Sequence, residues 1–266
     1  MSERNAPPTL LALQDYVFHR PVPVGVSNRH VHLCDADISR LFGPRHLLSK
    51  RRDIVQKGQF SCQEVVTVAT SAGVLRDVRV MGPSRARTQV ELAPSDAREL
   101  GLRAPLRPSG DTNDSAGCVL IGPKGSIDLA AGVLIPERHL HMSPRDTAFF
   151  GVAQGDRLRV AVPGRRGGLL ADVLVRVHER FVLELHLDTD EAGALLARNG
   201  DLTYVVDDER LGVDLNLRLA RPPGGRRLMT ESELRRVVRT EGRVRIPHGV
   251  LLTPSARDLA RRLKLD

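Results

Sequence analysis

Aromatic residues are scarce in this sequence. Tryptophan is absent, and six phenylalanines with two tyrosines make up only 3% of the 266 residues. Single-stranded nucleic acids are bound largely by stacking their bases on aromatic side chains, so this scarcity argues against a protein of that class. Leu, Val and Ala must fill the hydrophobic core instead.

Cysteine is also scarce, and long apolar runs are missing. Cys34, Cys62 and Cys118 are isolated and odd in number, which argues against a disulfide framework and favours a reducing compartment, with the cysteines as small core residues. No apolar run approaches the roughly 20 residues that cross a bilayer, and the first residues lack the pattern of a secretory signal. We therefore expect a cytoplasmic protein.

Positive charge is present in excess. Forty Lys and Arg residues against 32 Asp and Glu give a formal net charge of +8. Such a balance suits anionic partners, which include nucleic acid, an anionic membrane surface and a phosphate-bearing small molecule. The charge is concentrated in RPPGGRR and RRVVRTEGRVR near the C-terminus, where a solvated basic tail is the simplest interpretation.

Four segments share one local pattern. Each has a polar residue, a spacer, a His or Glu, then Leu or Met, and an acidic residue five positions after that His or Glu. The alternation of the first half predicts a short strand, and the second half predicts a helix of one or two turns with the acidic residue near its start. The segments are HVHLCDAD (30–37), QVELAPSD (89–96), HLHMSPRD (139–146) and ELHLDTDE (184–191).

The spacing of these segments indicates two similar halves. Between them lie short alternating runs such as EVVTVAT and DRLRVAV, which predict strands, while Ser143 followed by Pro144 predicts a helix start. We therefore predict a mostly β fold of two small β-barrel domains with short helices, related by internal duplication, plus a C-terminal helical extension. The predicted parts are an N-terminal segment at 1–20, the barrels at 21–127 and 128–221, and the extension at 222–266.

The extension is predicted to contain two helices. Thr230 and Glu233 have the spacing of a capping box, and Thr253 precedes Pro254 as an N-cap would. Its last stretch, TPSARDLARRLKL, resembles segments at the ends of microcompartment-associated proteins. At the other terminus, PTLLALQDYVFH has only a partial amphipathic stripe, which fits either an encapsulation helix or packing against the core.

The two H-x-H pairs are the strongest candidates for chemistry. Residues i and i+2 of a strand point to the same face roughly 6.6 Å apart, so His30 with His32, and His139 with His141, can each converge on one cation. Imidazole is the commonest metal ligand, and a catalytic zinc takes about three protein ligands and keeps one position open. Duplicated packing histidines are the alternative.

Each pair is one ligand short. The other two repeats place Glu91 and His186 where each pair has its second histidine, whereas the residues two positions before them, Gln89 and Glu184, are poorer candidates. The six ligands then suffice for two sites of three, each with an open position for substrate.

Four arginines lie near these segments. Arg29 and Arg138 precede the pairs and should point to the opposite face of the strand, where a structural salt bridge is the expected role. Arg85, in a Gly-Pro turn, can reach over the metal-binding face, where its guanidinium would fit phosphate oxygens. Arg87 competes for this role, and the sequence leaves both open.

Several stretches together resemble the phosphate propanoyltransferase family, the phosphotransacylases associated with propanediol utilisation and bacterial microcompartments. The resemblance runs from about residue 21 to 206, with the motifs in order. The stretches are VPVGVSNRHVHL, GQFSCQEVVTV, VRVMGPSRARTQVEL, LRPSGD, GVLIPERHLHMSPRD and VLELHLDTDEAG.

The resemblance implies two β-barrel domains with a dinuclear site between them that holds two divalent metal ions, with Zn²⁺ expected. It implies interconversion of acyl-CoA (propanoyl- or acetyl-CoA) plus phosphate with acyl phosphate plus CoA, and it places Arg85 on the phosphate. We expect a homodimer, and either the cytoplasm or a microcompartment lumen, where other microcompartment enzymes or shell proteins would be partners. The implied ligand sets are His30, His32 and His186 for one ion, and Glu91, His139 and His141 for the other.

Other interpretations stay open. A dinuclear metallohydrolase of thioesters or phosphoesters would use the same ions with water as the nucleophile. A nucleic-acid-binding protein that uses the basic tail is a third class, and neither it nor membrane binding is expected. The loop RPSGDTNDSAG, with Ser109 and Gly110, either approaches CoA through its backbone N–H groups or is a plain surface turn.

Overall fold

A computed structural model of the chain describes residues 17–206, 227–229, 234, 238, 250–263 and 265. The chain divides into two compact units, residues 1–210 and 211–266. The first unit is built mainly from strands. They are β1 (Val17–Ser27), β2 (His30–His32), β3 (Lys50–Asp53), β4 (Phe60–Ala69), β5 (Val74–Gly82), β6 (Gln89–Glu91), β7 (Leu106–Arg107), β8 (Ala116–Ile121), β9 (Ser126–Pro136), β10 (His139–Met142), β11 (Arg157–Val162), β12 (Gly168–Val177), β13 (Glu184–Asp188) and β14 (Leu202–Val206).

These strands form two closed barrels of six strands each. The first has the order β4, β5, β2, β6, β9 and β8, and β8 pairs back with β4, while β3 and β7 are added to β4 and β9. The second has the order β11, β12, β10, β13, β1 and β14, and β14 pairs back with β11. The predicted fold class is therefore confirmed.

The two barrels repeat the same sequence of strand directions. The β2–β5 pair is parallel as β10–β12 is, β2–β6 is antiparallel as β10–β13 is, and β6–β9 is parallel as β13–β1 is. The four repeated segments of the sequence thus occupy equivalent places, two in each barrel, as an internal duplication requires.

The strand pairing differs from the domain limits suggested by the sequence. The first strand, Val17–Ser27, closes the second barrel through β13 and β14, and Ser126–Pro136 belongs to the first barrel. The suggested division at 127 and 128 therefore falls inside β9. Both strands pair in parallel with a segment distant in sequence, and no local pattern marks such a partner.

Four short helices directly follow the strands of the repeated segments. Ser143 caps its helix as expected, because its Oγ accepts a hydrogen bond from Asp146 N at 3.3 Å. Gly151 ends this helix in a left-handed conformation. The acidic residues act at the helix starts: Asp96 accepts from Ala93 N and Asp146 from Ser143 N. The helices are α1 (Asp35–Phe42), α2 (Pro94–Glu99), α3 (Pro144–Phe150) and α4 (Thr189–Leu195).

Each barrel has its own hydrophobic core. Val31 and Val90 are buried in the first core, and Leu140 and Leu185 in the second. Since side chains alternate along a strand, the His and Glu residues on either side of these four point away from the cores. This alternation delivers every candidate metal ligand to the outer face of its barrel.

The second unit contains, in its described part, β15 (Arg227–Met229) parallel to β16 (Val250–Leu252) and a helix, α5 (Pro254–Leu263). Thr253 is the N-cap of α5, as predicted, because its Oγ1 accepts from Ala256 N. Buried side chains of α5 pack with Leu234 in a small core of their own.

Several predictions for the termini fall outside the described residues. They concern residues 8–16 of the stretch PTLLALQDYVFH, the capping-box residues Thr230 and Glu233, and most of the basic run at 235–245. Of the helices in the described part of the chain, none has the length and apolarity needed to span a membrane.

Candidate active site

Six candidate ligands line one cleft of about 700 Å³ whose walls come from both barrels. They form two groups of three, and within each group the ligand atoms lie within 4.8 Å of one another. One group is His30, His32 and Glu91, and the other is His139, His141 and His186.

Strand register explains this grouping. His30 lies directly opposite Glu91 on the antiparallel β2–β6 pair, and His139 lies directly opposite His186 on β10–β13. Directly opposite residues share a face of the sheet, so the third member of each group comes from the neighbouring strand of the same barrel. The resemblance implied instead that the third ligand of each H-x-H pair comes from the other barrel. The structure brings together the same six residues but divides them differently.

Burial and the neighbouring charges together set the protonation of these groups. Burial lowers the pKa of His32 and His141 well below the usual value, and the pKa of His139 falls to about 3 through burial and the charges of His186 and Arg176. Burial alone would raise the pKa of Glu91, yet the neighbouring histidines, a hydrogen bond from Ser109 and the charge of Arg85 lower it to about 2. Neutral imidazole and ionised carboxylate are the forms that bind metal.

The donor set fits a divalent cation. The Nε2 atom of His30 lies 3.2 Å from His32 Nε2 and 3.4 Å from Glu91 Oε2, so three lone-pair donors converge. The Nδ1 atom of His30 donates to Asn28 O at 2.8 Å, and that of His139 donates to Glu137 O at 2.7 Å, which leaves both Nε2 atoms free to be ligands. Buried His141 Nδ1 has no hydrogen-bond partner among the described residues.

Comparison with known proteins adds to this geometry. The family model for phosphate propanoyltransferase matches residues 23–198, which include both groups of ligands. The chain belongs to the phosphate propanoyltransferase family. The phosphate propanoyltransferase of Thermotoga maritima is 46% identical over 185 residues, which cover 69% of this chain and 88% of the relative. That of Citrobacter freundii is 43% identical over 200 residues, covering 75% and 95%, and that of Rhodopseudomonas palustris is 44% identical over 184 residues, covering 69% and 81%.

As a member of the phosphate propanoyltransferase family, the chain is an enzyme, a phosphate acyltransferase. The match ends at residue 198, so the second unit, 211–266, lies beyond it. The resemblance of its last stretch to microcompartment-associated segments therefore stays a prediction.

Glu184 and Gln89, the poorer ligand candidates in the sequence, hold two of the ligands in place. Glu184 accepts a hydrogen bond from His186 Nε2 at 2.6 Å, and Gln89 donates from its amide to Glu91 Oε1. They occupy equivalent positions in the two barrels, two residues before the third ligand of each group. Residues i and i+2 of a strand share a face, so each of the two lies beside its ligand and orients it by a hydrogen bond.

The loop after β7 contributes one side chain to the site. Ser109 Oγ donates to Glu91 Oε1 at 2.5 Å and accepts from Gln89 Nε2 at 3.1 Å, and Ser109 lines the cleft. Gly110 is exposed at a turn with φ +103° and lies outside the cleft lining. The structure thus places the Ser109 hydroxyl against the ligand Glu91, and contact of Ser109 and Gly110 with CoA stays a prediction.

The structure separates the two competing arginines. Arg85 is partly buried in the cleft, and its backbone N–H donates to Leu33 O at 2.9 Å, whereas Arg87 is exposed and lies outside the cleft lining. The arginines before the H-x-H pairs form the salt bridges expected of them. Arg29 pairs with Asp96 at 3.1 Å, and Arg138 pairs with Glu191 at 3.3 Å.

Sequence reasoning missed Arg176. This residue lies on β12 in register with His141, and it lines the same cleft. The available signal was the run LVRV, in which a charged residue lies between valines of a predicted strand. An arginine at such a position must point out of the core, but which site it meets depends on the parallel pairing with β10.

Proposed function

We propose that this phosphate acyltransferase is metal-dependent and interconverts propanoyl-CoA plus phosphate with propanoyl phosphate plus CoA in the cleft between its barrels, with acetyl-CoA as a smaller alternative donor. The observation that carries the proposal is the pair of three-ligand groups in one cleft beside the Arg85 guanidinium. The acyl chain follows from the relatives, which are phosphate propanoyltransferases.

Two divalent ions would be held by these groups, one by His30, His32 and Glu91 and the other by the three remaining histidines. Five imidazoles and one carboxylate make a donor set that suits Zn²⁺. When bound, the ions supply positive charge that neutralises phosphate and polarises the thioester carbonyl.

The side chains of the protein bind and orient the reactants. The guanidinium of Arg85 offers a rigid fork to phosphate oxygens and holds one of them toward the thioester carbon. The ring centroids of Phe181 and His141 lie 4.1 Å apart. With Ile54 and Val182, Phe181 gives the cleft an apolar wall for a short acyl chain.

The reaction proceeds by direct transfer in this proposal. A phosphate oxygen forms a bond to the carbonyl carbon, and the carbon–sulfur bond breaks with the electron pair leaving on CoA sulfur. A thiolate whose conjugate acid has a pKa of roughly 8.5 leaves without strong acid assistance. Burial raises the pKa of Cys62 to about 11 and of Cys118 to about 12, and Cys34 lies outside the cleft lining, which supports transfer without a cysteine intermediate.

The test follows CoA release from propanoyl-CoA with and without inorganic phosphate and traps the co-product with hydroxylamine. We expect phosphate-dependent CoA release, one acyl phosphate per CoA, two metal ions per chain, and loss of activity on chelation that added Zn²⁺ restores. CoA release without phosphate, with free propanoate as the product, would instead identify the metallohydrolase. Activity that persists in metal-free protein would refute the metal dependence.

The remaining expectations are proposals of the same kind. A homodimer and a microcompartment location are expected from the resemblance. The stretch that resembles the ends of microcompartment-associated proteins includes α5. In the structure, Ala256, Leu259 and Ala260 of that helix are buried within the second unit. Gel filtration of the purified chain, and fractionation of cells with the chain tagged internally, would test the two expectations.

A further inference from the structure

Two partly buried arginines enter the cleft from opposite barrels. Arg85 follows β5 of the first barrel, and Arg176 lies on β12 of the second, and both line the cleft and are partly buried. Within the described part of the chain, neither guanidinium makes a hydrogen bond or an ion pair. The other arginines of the cleft lining differ from these two. Arg29 pairs with Asp96, Arg79 donates to backbone carbonyls, including Gln63 O at 2.7 Å, and Arg51 and Arg52 are exposed.

Strand register places Arg176 beside the candidate ligands. Its Cα is the partner of His141 on the parallel β10–β12 pair, whereas the preceding pair, Leu140 with Val175, is buried in the core. Neighbours in register share a face, so the Arg176 side chain points with His141 into the cleft.

The charges of the two arginines act on the same groups. Both contribute to the lowered pKa of His141, and both are felt by the carboxylate of Glu91. Burial lowers the pKa of each guanidinium, and the charge of Arg176 lowers that of Arg85 further. The two cations therefore act on the same ligands of the cleft that both arginines line.

Two partly buried guanidiniums that line one cleft are unfavourable unless an anion compensates their charge. Glu91 supplies only one negative charge, and its Oε1 atom already accepts hydrogen bonds from Ser109 and Gln89. A phosphate group carries nearly two negative charges at neutral pH, and its several oxygens accept bidentate hydrogen bonds from more than one guanidinium.

We infer that Arg176 is a second phosphate-binding residue, which holds with Arg85 the phosphoryl group that is transferred, one arginine from each barrel. The inference rests on the proposed function and extends it: the phosphate site is completed only where the two barrels meet. The phosphates of CoA offer the same chemistry, so the test separates them from inorganic phosphate.

The test compares Arg176→Lys and Arg176→Gln with the unmodified enzyme and with Arg165→Lys, a control at an exposed position between β11 and β12. We expect Arg176→Lys to raise the KM for phosphate about tenfold while the KM for propanoyl-CoA and the metal content stay unchanged, because a point charge cannot replace the fork. Arg176→Gln should raise it further, and Arg165→Lys should leave both constants unchanged.

A rise in the KM for propanoyl-CoA alone would assign Arg176 to a CoA phosphate, and unchanged constants in both variants would leave it no substrate role. Either result overturns the inference. Calorimetry with inorganic phosphate on the metal-loaded protein is independent of turnover, so binding weakened by Arg176→Lys supports the site even if the proposed reaction fails. A double variant, Arg85→Lys with Arg176→Lys, tests whether the two arginines act together. If its loss of phosphate-binding free energy equals the sum of the losses in the single variants, the arginines do not share one phosphate.

Discussion

Gln56 of the first barrel donates a hydrogen bond of 2.9 Å to Glu184 of the second, and Glu184 accepts one of 2.6 Å from His186. Gln56 is 1% exposed and also bonds both backbone groups of Val182, donating to its O at 3.0 Å and accepting from its N at 3.1 Å. One amide therefore ties the barrels together at the point where a candidate ligand is oriented.

Replacing Gln56 by Leu should weaken both the fold and the site. The substitution leaves both backbone groups of Val182 without the amide and removes one of the two hydrogen bonds that Glu184 Oε2 accepts. We expect a loss of about 2–4 kcal/mol in the free energy of unfolding. Urea unfolding measures this change. The metal content of the variant shows whether His186 is still oriented to bind its ion. Gln154→Leu is the matched control, since Gln154 is exposed and accepts one hydrogen bond, from Val177 N. Equal stability of the two variants would show that the tie is unimportant.

Replacing His139 by Ala should remove one ligand of the second group. We expect the loss of about one metal ion per chain and a collapse of phosphate-dependent CoA release, because three protein ligands are the usual minimum for a catalytic zinc. Metal analysis and the thiol assay measure both effects. His19→Ala, at an exposed position on β1, should change neither. An active His139→Ala enzyme with full metal content would contradict the assignment.

Replacing Ser109 by Ala distinguishes an orienting hydroxyl from a CoA contact. Loss of the 2.5 Å hydrogen bond to Glu91 should lower the affinity for metal roughly 10- to 100-fold, as is usual when a residue that hydrogen-bonds a metal ligand is replaced. The KM for propanoyl-CoA should stay unchanged. Competition with a chelator measures the affinity. Ser126→Ala, at an exposed position, is the control. A raised KM for propanoyl-CoA with normal metal affinity would instead support the contact between Ser109 and CoA.

Glu64 should make the first barrel sensitive to acid. Burial would raise its pKa, but hydrogen bonds from backbone N–H groups, including that of Ser49, and from His46 Nε2 at 2.8 Å lower it below the usual value. A carboxyl with a lowered folded pKa stabilises the fold above its unfolded pKa of roughly 4.3, and the contribution is lost as the pH falls through the folded value. Glu64→Gln should therefore cost about 1–2 kcal/mol at pH 7.

That cost should shrink when unfolding is measured at pH 4 and below, because the unmodified protein then also loses the charged acceptor. Asp53→Asn is the control, since Asp53 is exposed and pairs only with Lys50 among the described residues. A Glu64→Gln cost that is independent of pH would show that the ionised carboxylate is not what stabilises the barrel.

The repeated segments made the fold class and all six candidate ligands predictable from the sequence. Alternation alone fixes that His30 and His32 share a face, and the recurrence of the pattern identifies Glu91 and His186. The grouping depends on which strands are neighbours and in what register, and this comes from the whole barrel. The same reason hid Arg176, whose neighbour His141 lies 35 positions earlier on a parallel strand.

The place of β1 in the second barrel has a consequence for synthesis on the ribosome. The first barrel has all its strands once residue 136 has emerged, but the partners of Val17–Ser27 on β13 and β14 are among the last parts of this unit to be made. The first strand therefore waits as an open edge while a complete barrel folds beside it. A nascent chain halted before residue 206 would hold that edge unpaired, in the form most prone to aggregation.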